Sequence, residues 1–347
     1  MHVANRLANS DLPLAICDSR FVNCNYPMDF HKDILKIDCE SELKRICSFI
    51  QQQVRAMRRD GIVIGLSGGI DSAVSAAICV KALGKDKVFG LILPEKDSNP
   101  VSAEYATRQA KELDIETEAI DITPTLEAFG TYQKRDKVIR EVFPEYDDRY
   151  KSKITLPADL LSRDTYNFFT LRIDNGKGNI KSARLGKKTL NGIVAATDSK
   201  HRTRMMHLYY YAEMKNYLVC GTTNKTEIVE GFFVKYGDGG VDIEPLGHLY
   251  KTQVYQLAEY LGVINEIMER APSPDTFSFP VSDEEFYFRI PYATLDLLLY
   301  AWEYNIPLER VCETMNLTEE QVKRATRDFA AKYNATKHLR QLPPTLE

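Results

Sequence analysis

A short loop between a predicted strand and a predicted helix places the strongest constraint on the fold of this chain. Residues 61–80 read GIVIGLSGGIDSAVSAAICV, in which the apolar run 61–66 has the length and β-branched content of a buried strand. The alanine-rich run that begins near Asp71 is typical of a helix packed on a sheet. Two glycines between them allow a tight turn that exposes backbone N–H groups, and the helix adds the positive end of its dipole. The loop therefore predicts a phosphate-binding site at the end of a strand.

The side chains of this loop add chemistry to its backbone. Ser67 and Ser72 can donate hydroxyl hydrogens, and Asp71 places a carboxylate where a phosphate-bound Mg²⁺ could be held. A bare Gly-Gly pair is equally consistent with an ordinary capped turn. The complete string S-G-G-x-D-S is more specific, and the G-K-[ST] ending of a Walker loop is absent.

Strand-like and helix-like segments alternate after residue 60. Strands are predicted at 61–66, 88–93, about 116–121 and 217–221, with helices at about 71–83 and 101–113. This alternation predicts an α/β fold with a doubly wound, mostly parallel, Rossmann-like sheet. Ser67 and Thr222 follow two of these strands, so they should meet at the carboxyl edge where ligands bind.

The end of the chain has a different pattern. Helical periodicity covers 291–303, 306–315 and 319–333, and Thr318 with Gln321 forms a capping-box pattern. A helix-turn-helix around NLTEE would need a basic recognition face, which is absent. These segments predict a C-terminal helical part that packs on the main domain.

Composition limits the class of protein. The 347 residues and 44% hydrophobic content suit one main domain, residues 40–347, after an N-terminal extension of residues 1–39. The net charge of −4 gives no reason to expect nucleic acid or a membrane as partner. No apolar run reaches the roughly 18 residues of a membrane span, the N-terminus lacks signal-peptide features, and the seven cysteines form no C-x-x-C. We expect a cytoplasmic protein with free thiols.

Residues 131–196 interrupt the alternation with charged and aromatic sequence. Asp174-Asn175-Gly176 lies between two strand-like runs and predicts a hairpin. Between Arg172 and Arg204, nine Lys or Arg residues stand against two Asp residues, a local net charge of +7. Two interpretations remain open: a solvated basic face, or a lid that closes over an anionic substrate.

Several separated motifs resemble a known family. The loop resembles the pyrophosphate loop of the ATP pyrophosphatases, which have an adenine nucleotide alpha hydrolase-like fold. Together with HRTRMMHLYYYA, GTTNKTEIVEGFFVKYGDGGVDIEPL, LYKTQV, APSPD and KHLRQLPP, it resembles the ammonia-dependent NAD synthetases in order and nearly in spacing. The resemblance covers roughly residues 40–130 and 197–344, and implies an ATP pyrophosphatase domain with residues 131–196 as an insertion or lid.

The resemblance implies roles for particular residues. The residues implied in ATP binding are Ser67, Gly68, Gly69, Asp71, Ser72, Arg204, Thr222, Lys251 and Ser273. Those implied in binding the dinucleotide substrate are Arg202, Phe232, Lys235, Asp238 and Asp242, with His338 as a weaker candidate. Asp71 and Glu227 are the implied Mg²⁺ ligands, and the implied catalytic residues are Asp71, Lys251 and Ser273.

The implied reaction is an ATP-dependent amidation. A carboxylate attacks the α-phosphorus of ATP to give an acyl-adenylate and pyrophosphate, and ammonia then displaces AMP. The implied acid is deamido-NAD⁺ and the implied assembly is a homodimer. About 60 residues before the first strand cannot hold a glutaminase domain, so we expect ammonia to come free or from a separate glutaminase.

The departures from the family concern the acid. Val194 and Thr197-Asp198 stand where the family usually has an aromatic residue and G-N, and aromatic residues of the insertion could replace the missing ring: Tyr166, Phe168 and Phe169. An amide ligase that acts on another carboxylate, such as a sugar acid, is therefore an alternative. A tRNA-modifying enzyme that uses segment 172–204 is a further one, although the cysteine pairs of many such enzymes are missing.

Overall fold

A computed structural model describes residues 29–163 and 167–346. The strands are β1 (Gly61–Gly65), β2 (Val88–Ile92), β3 (Glu116–Ala119), β4 (Lys151–Thr155), β5 (Thr170–Asp174), β6 (Ile180–Arg184) and β7 (Tyr217–Cys220). The first helices are α1 (Cys39–Ala56), α2 (Ile70–Leu83), α3 (Pro100–Glu112), α4 (Thr123–Phe129), α5 (Thr131–Arg140) and α6 (Lys187–Lys215). The later helices are α7 (Lys225–Glu230), α8 (Lys251–Leu261), α9 (Asn265–Glu269), α10 (Tyr292–Glu303), α11 (Leu308–Met315) and α12 (Glu319–Ala335).

The main sheet has four parallel strands in the order β3-β2-β1-β7. Successive side chains of β1 point to opposite faces: Ile62 and Ile64 pack in the core formed with α1, α2 and α8, while Val63 packs with residues of α4, α5 and α6. Helices therefore cover both faces. The predicted doubly wound α/β fold is confirmed, and each of its four predicted strands is present.

Three loops follow the carboxyl ends of the neighbouring parallel strands β2, β1 and β7. The loop after β1 enters α2, the loop after β2 runs through residues 93–99, and the loop after β7 enters α7. Residues of all three loops line one cavity. This is where an open parallel sheet normally binds its ligand.

The C-terminal helices form their own core. Leu295, Leu299, Val322 and Phe329 of α10 and α12 pack together with Phe30, which precedes α1. The Thr318 hydroxyl accepts from the Gln321 N–H, and the Gln321 side chain accepts from the Thr318 N–H, as the predicted capping box requires. Within the described residues, none of the helices is long and apolar enough to cross a membrane.

Residues 131–196 contain a second, smaller sheet. The strands pair antiparallel in the order β4-β5-β6, and the predicted hairpin is confirmed between β5 and β6. The basic side chains of the overlapping segment 172–204 are divided between two surroundings. Lys181 and Lys188 form surface ion pairs with Glu145 and Glu141, whereas the basic residues of α6 at 200, 202 and 204 lie at or beside the cavity.

Glu244 makes the stability of the fold depend on pH. Its carboxylate accepts from the Thr223 N–H at 3.1 Å, and burial raises its pKa to about 8. The folded pKa lies above the unfolded value of about 4.3, so folding takes up a proton between these two pH values. The free energy of unfolding therefore falls as pH rises from about 4.3 through about 8.

We expect Glu244→Gln to gain stability relative to the wild type as pH rises. The amide can still accept from Thr223, but it cannot ionise. Each unit of pKa difference is worth about 1.4 kcal/mol, and because the side chain is partly exposed we expect a relative gain of about 1–3 kcal/mol between about pH 5 and pH 9. Urea unfolding of both proteins at the two pH values measures it. A difference in unfolding free energy that does not change with pH would contradict the assignment.

Candidate active site

One cavity of about 810 Å³ collects most of the predicted site residues. The members of the predicted ATP set on its wall are Ser67, Gly69, Asp71, Ser72, Arg204, Thr222, Lys251 and Ser273. Those of the predicted substrate set are Arg202, Phe232, Lys235 and Asp238, and Glu227 and His338 line the same cavity. Residues separated by up to about 270 positions in the chain therefore face one space.

Hydrogen bonds among Ser67, Gly69 and Ser72 fix the conformation of the loop after β1. The Ser67 and Ser72 hydroxyl oxygens lie 3.1 Å apart, the Ser72 hydroxyl donates to the Gly69 carbonyl, and the Gly69 N–H donates to Ser67. Gly69 is the N-cap of α2, and no side chain caps the helix there. The first turn of α2 therefore lines the cavity and its N–H groups receive no N-cap side chain, which suits an anion site.

Lys251 lies between two carboxylates at the centre of the cavity wall. Its ammonium group donates to Asp71 Oδ2 and lies 3.6 Å from Glu227 Oε1. Lys251 is the first residue of α8, Asp71 is in the first turn of α2 and Glu227 is in the first turn of α7. Three helix N-termini thus bring one ammonium group and two carboxyl groups to the same point.

Burial and the mutual charges of Asp71, Glu227 and Lys251 together control the ionisation of this cluster. Burial, and then the neighbouring Asp71 carboxylate, raises the pKa of Glu227 well above its usual value. Burial by itself would lower the pKa of Lys251, but Asp71 and Glu227 outweigh it and raise that pKa. The ammonium group is therefore firmly protonated and acts as the counter-ion of the carboxylates.

Two residues that sequence reasoning missed complete the cluster. Asn224 donates from its side chain to Asp71 Oδ1 at 3.0 Å and caps α7 reciprocally with Glu227, so it fixes both carboxylates. The Asn-x-x-Glu spacing is the signal that could have revealed it. Asp283 lines the cavity, and burial raises its pKa to about 6. Its Oδ2 accepts from the Tyr292 hydroxyl, while its buried Oδ1 has no hydrogen-bond partner among the described residues.

The remaining ATP candidates lie on α6 and in two loops beside the phosphate loop. Arg204, on α6, donates to the Leu93 carbonyl at 3.1 Å and reaches the Ser98 hydroxyl at 3.4 Å. Ser273 accepts from the Asp275 N–H, in a loop that also contacts the start of α3 through Asp275. Thr222 lies in the loop after β7, next to the phosphate loop.

The other half of the cavity is cationic and aromatic. Arg202 donates to the Lys235 carbonyl at 3.4 Å, and Lys235 donates to the His338 carbonyl at 3.0 Å, which brings the C-terminal tail to the cavity. Phe232 stacks on Tyr287 with ring centroids 5.0 Å apart. Asp238 accepts from the Val234 N–H. This half can take a ligand that carries both phosphate charge and a flat ring.

Two predicted site residues do not line the cavity. Asp242 lies outside it, where its carboxylate accepts from the Val219 N–H at 2.8 Å and from the Tyr209 hydroxyl at 3.1 Å. Gly68 belongs to the loop but does not line the cavity; its φ is 73°, and a Cβ atom there would come 2.2 Å from the Ser102 carbonyl oxygen. Gly68 therefore shapes the phosphate loop through its backbone.

The residues that depart from the family pattern are part of the same wall. Val194 and Asp198 line the cavity from α6, and burial raises the pKa of Asp198 to about 6. Of the aromatic residues of segment 131–196, Phe169 lines the cavity. Phe168 does not and lies under the Arg184 guanidinium group, and Tyr166 lies outside the described residues.

The carboxylates suit Mg²⁺ only as a partial ligand set. Across residues 29–163 and 167–346, no three His, Cys, Asp or Glu side chains are grouped so as to hold a metal ion. Mg²⁺ usually takes one or two carboxylates and completes its shell with water and substrate phosphates. Asp71 and Glu227, beside an anion-binding helix N-terminus, fit that requirement.

The comparison with known families agrees with this site. A family model described as NAD synthase matches residues 42–149 and 165–343. The chain belongs to the NAD synthase family. The match also includes most of segment 131–196, and leaves residues 150–164, which contain β4, unmatched.

Individual members of the NAD synthase family are similar over most of their length. An NH₃-dependent NAD⁺ synthetase of Rhizobium meliloti (strain 1021) is 43% identical over 318 residues, which cover 92% of this chain and 95% of that protein. One from Thermotoga maritima is 38% identical and covers 79% of this chain and 94% of its own. Among solved structures, the NMN synthetase of Francisella tularensis has a TM-score of 0.62 and 25% identity, with 90% of this chain and 99% of that chain covered. The NH₃-dependent NAD synthetase of Campylobacter jejuni has a TM-score of 0.60 and 26% identity, with 90% and 100% covered.

Replacing Gly68 should disable the phosphate loop. In Gly68→Ala the new methyl group would collide with the Ser102 backbone in a conformation that already disfavours a side chain. We expect ATP binding to weaken by about tenfold or more, because the N–H groups of the loop lose their alignment. Titration calorimetry with ATP and Mg²⁺ measures it.

Gly84→Ala is the matched control. Gly84 ends the same helix with a φ of 86°, but a Cβ atom there meets nothing within 4 Å. This variant also places a side chain at a positive φ, but without a collision near the cavity. ATP affinities that are equally reduced in both variants would mean that the loop geometry is not what binds the nucleotide.

Proposed function

We propose that this chain catalyses the ATP-dependent amidation of deamido-NAD⁺ with ammonia, giving NAD⁺, AMP and pyrophosphate. The observation that carries the proposal is the buried Lys251 between Asp71 and Glu227, at the N-termini of three helices and beside the phosphate loop. Such a group suits the departure of a pyrophosphate. The similarity to NH₃-dependent NAD⁺ synthetases over most of the chain supports the choice of substrate and nitrogen source.

The first step activates the acid. An oxygen of the substrate carboxylate attacks the α-phosphorus of ATP, the bond to the bridging oxygen breaks, and pyrophosphate leaves with that electron pair. Lys251 and the N–H groups at the start of α2 would stabilise the charge that develops on the pyrophosphate. Asp71 and Glu227 would hold Mg²⁺, which when bound neutralises phosphate charge.

The second step forms the amide. Ammonia attacks the carbonyl carbon of the acyl-adenylate, AMP leaves, and one proton is lost from nitrogen. Water must be kept out, because it would hydrolyse the same intermediate. We propose that segment 131–196 acts as the lid, since Ile154, Phe169 and Val194 from this segment already line the cavity.

The acid is placed by the cationic and aromatic half of the cavity. Arg202 and Lys235 would hold the phosphates of the dinucleotide, and Phe169 would pack on its pyridine ring in place of the aromatic residue that Val194 replaces. One aromatic contact is worth about 0.5–1.5 kcal/mol beyond the area it buries, so its relocation is compatible with the same substrate.

A product assay tests the proposal against its alternatives. The protein is incubated with ATP, Mg²⁺ and ammonium, and is offered deamido-NAD⁺ beside nicotinate mononucleotide and a panel of sugar acids. Mass spectrometry should find NAD⁺ with equimolar AMP and pyrophosphate. The mononucleotide is included because one similar structure is an NMN synthetase. Turnover of another acid without NAD⁺ formation would transfer the assignment to an amide ligase of the same mechanism.

Removal of either carboxylate charge should stop adenylation. Asp71→Asn and Glu227→Gln keep the shape of the side chain, but each removes a charge from the site that would hold Mg²⁺. We expect pyrophosphate release to fall by about 100-fold or more with the fold intact. Asp328→Asn is the control, because Asp328 forms a buried ion pair with Lys332 outside the cavity wall. Near-normal rates in both cavity variants would refute the assignment of these residues.

We propose a cytoplasmic homodimer, supplied with free ammonia or with ammonia from a separate glutaminase. The dimer is supported by a row of exposed apolar side chains along α6: Met206, Tyr210 and Met214 are 55%, 63% and 58% exposed and are spaced four residues apart. Residues with this spacing share one face of a helix.

A charged residue introduced into this apolar row of α6 should weaken the dimer. We expect Tyr210→Glu to shift the protein from dimer to monomer at micromolar concentration, because the carboxylate would be buried against apolar side chains. Analytical ultracentrifugation of wild type and variant measures the shift. Tyr260→Glu, an exposed tyrosine on α8, is the matched control. A wild-type protein that is monomeric under these conditions would contradict the proposal.

A further inference from the structure

Lys200 lies at the centre of a buried charge cluster next to the cavity. Its side chain is 1% exposed. Its ammonium group contacts Glu95 Oε1, Asp97 Oδ2 and the Thr276 carbonyl, each at 2.8 Å. All three ammonium hydrogens therefore have acceptors, and these acceptors belong to two different loops.

The loop after β2 contacts Arg204, which lies on α6. Arg204 donates to the Leu93 carbonyl and reaches the Ser98 hydroxyl. The Ser98 N–H donates to the Glu95 carbonyl, and the Ser98 hydroxyl accepts from the Glu95 N–H. Glu95 and Asp97 are thus the points at which Lys200 fixes the loop that orients Arg204.

The other loop carries Ser273. It runs from residue 270 to residue 277 and has no regular secondary structure. The Asp275 carboxylate ties it to the start of α3, where it accepts from the Asn99 N–H and the Ser102 hydroxyl. The contact between Lys200 and the Thr276 carbonyl is the tie to α6. The position of Ser273 at the cavity is therefore set from both sides.

The cluster also includes α5, the first helix of segment 131–196. The Tyr132 hydroxyl donates to Glu95 Oε2 at 2.8 Å, and Arg135 forms an ion pair with Asp97. Burial would raise the pKa of Asp97, but Lys200 and Arg135 lower it below its ordinary value. The aspartate is thus held in its charged form between two cations.

Stability alone is a weak reason for such a cluster. Buried ion pairs can often be replaced by apolar residues without loss of stability, because desolvation offsets their attraction. Their directional contacts, however, fix the relative position of the elements they join. Here the joined elements are the loop that contacts Arg204, the loop that carries Ser273, and the segment proposed as the lid.

We propose that Lys200 is a positioning residue for the nucleotide site, which aligns Arg204 and Ser273 by fixing both loops to α6 and α5. This inference rests on the proposed binding of ATP in the cavity. Lys200 does not line the cavity, so it would act without touching the nucleotide. Its loss should therefore weaken nucleotide binding through Arg204 and Ser273.

The test uses a charge-balanced variant. Lys200→Met combined with Glu95→Gln removes one positive and one negative charge and leaves the pair of Arg135 and Asp97. A non-hydrolysable ATP analogue with Mg²⁺ is titrated calorimetrically, without acid or ammonia. We expect its affinity to fall by about tenfold or more, while affinity for deamido-NAD⁺ changes by less than about twofold. Asp97→Asn is a second, milder variant, for which we expect a several-fold loss even if the double variant does not fold.

A buried lysine elsewhere supplies the matched control. Lys332 has the same number of partners, with Glu230 and Asp328 at 2.8 Å and the Tyr287 carbonyl at 3.1 Å, and does not line the cavity. Lys332→Met with Glu230→Gln should lose comparable stability and keep analogue affinity within about twofold of the wild type.

The two hypotheses fail in different ways. A wild-type protein that does not bind the analogue contradicts the proposed function. A wild type that binds it, with a Lys200 double variant that binds equally well or loses no more affinity than the Lys332 control, overturns the positioning role. The positioning role is also overturned if Asp97→Asn folds and binds the analogue with wild-type affinity.

Discussion

The contact of Lys251 with Asp71 and Glu227 is the interaction on which the rest of the structure depends. Two carboxylates in a buried position repel each other, and the lysine offsets that repulsion. The sheet brings the first turns of α2 and α7 together at its carboxyl edge, and α8 begins beside them. A magnesium–ATP complex would supply the same positive charge to these carboxylates and free the lysine to face phosphate. In the proposed reaction the pocket would therefore exchange one cation for another.

Around this point the fold separates the phosphate loop from the segment that we propose as a lid. The phosphate loop and the three helix N-termini lie at the edge of the main sheet. One hydrophobic core joins this sheet to α1, α2 and α8. The walls that would exclude water come instead from the smaller sheet and from α6. The Lys200 cluster joins these two parts, since its members lie on the loop after β2, on α5 and on loop 270–277.

Local patterns could be predicted from the sequence, whereas contacts between residues far apart in the chain could not. The S-G-G-x-D-S loop, the four parallel strands and the Thr318 capping box depend on neighbours in the chain, and each is present. Asp283 was missed because its place on the cavity wall follows from the packing of distant segments. Asp242 was predicted at the substrate, but its carboxylate accepts from Val219 and Tyr209 outside the cavity. The +7 charge of segment 172–204 could be counted but not divided between the surface and the cavity, because that division depends on where α6 lies.

Transfer of oxygen from the acid to AMP tests the central claim most directly. Deamido-NAD⁺ labelled with ¹⁸O in its carboxyl group is turned over with unlabelled ATP and ammonium, and the nucleotide and phosphate products are examined by mass spectrometry. Attack of the carboxylate on the α-phosphorus places one labelled oxygen in AMP and none in pyrophosphate. Label in orthophosphate together with ADP, or unlabelled AMP alongside labelled pyrophosphate, would contradict an acyl-adenylate formed in this cavity.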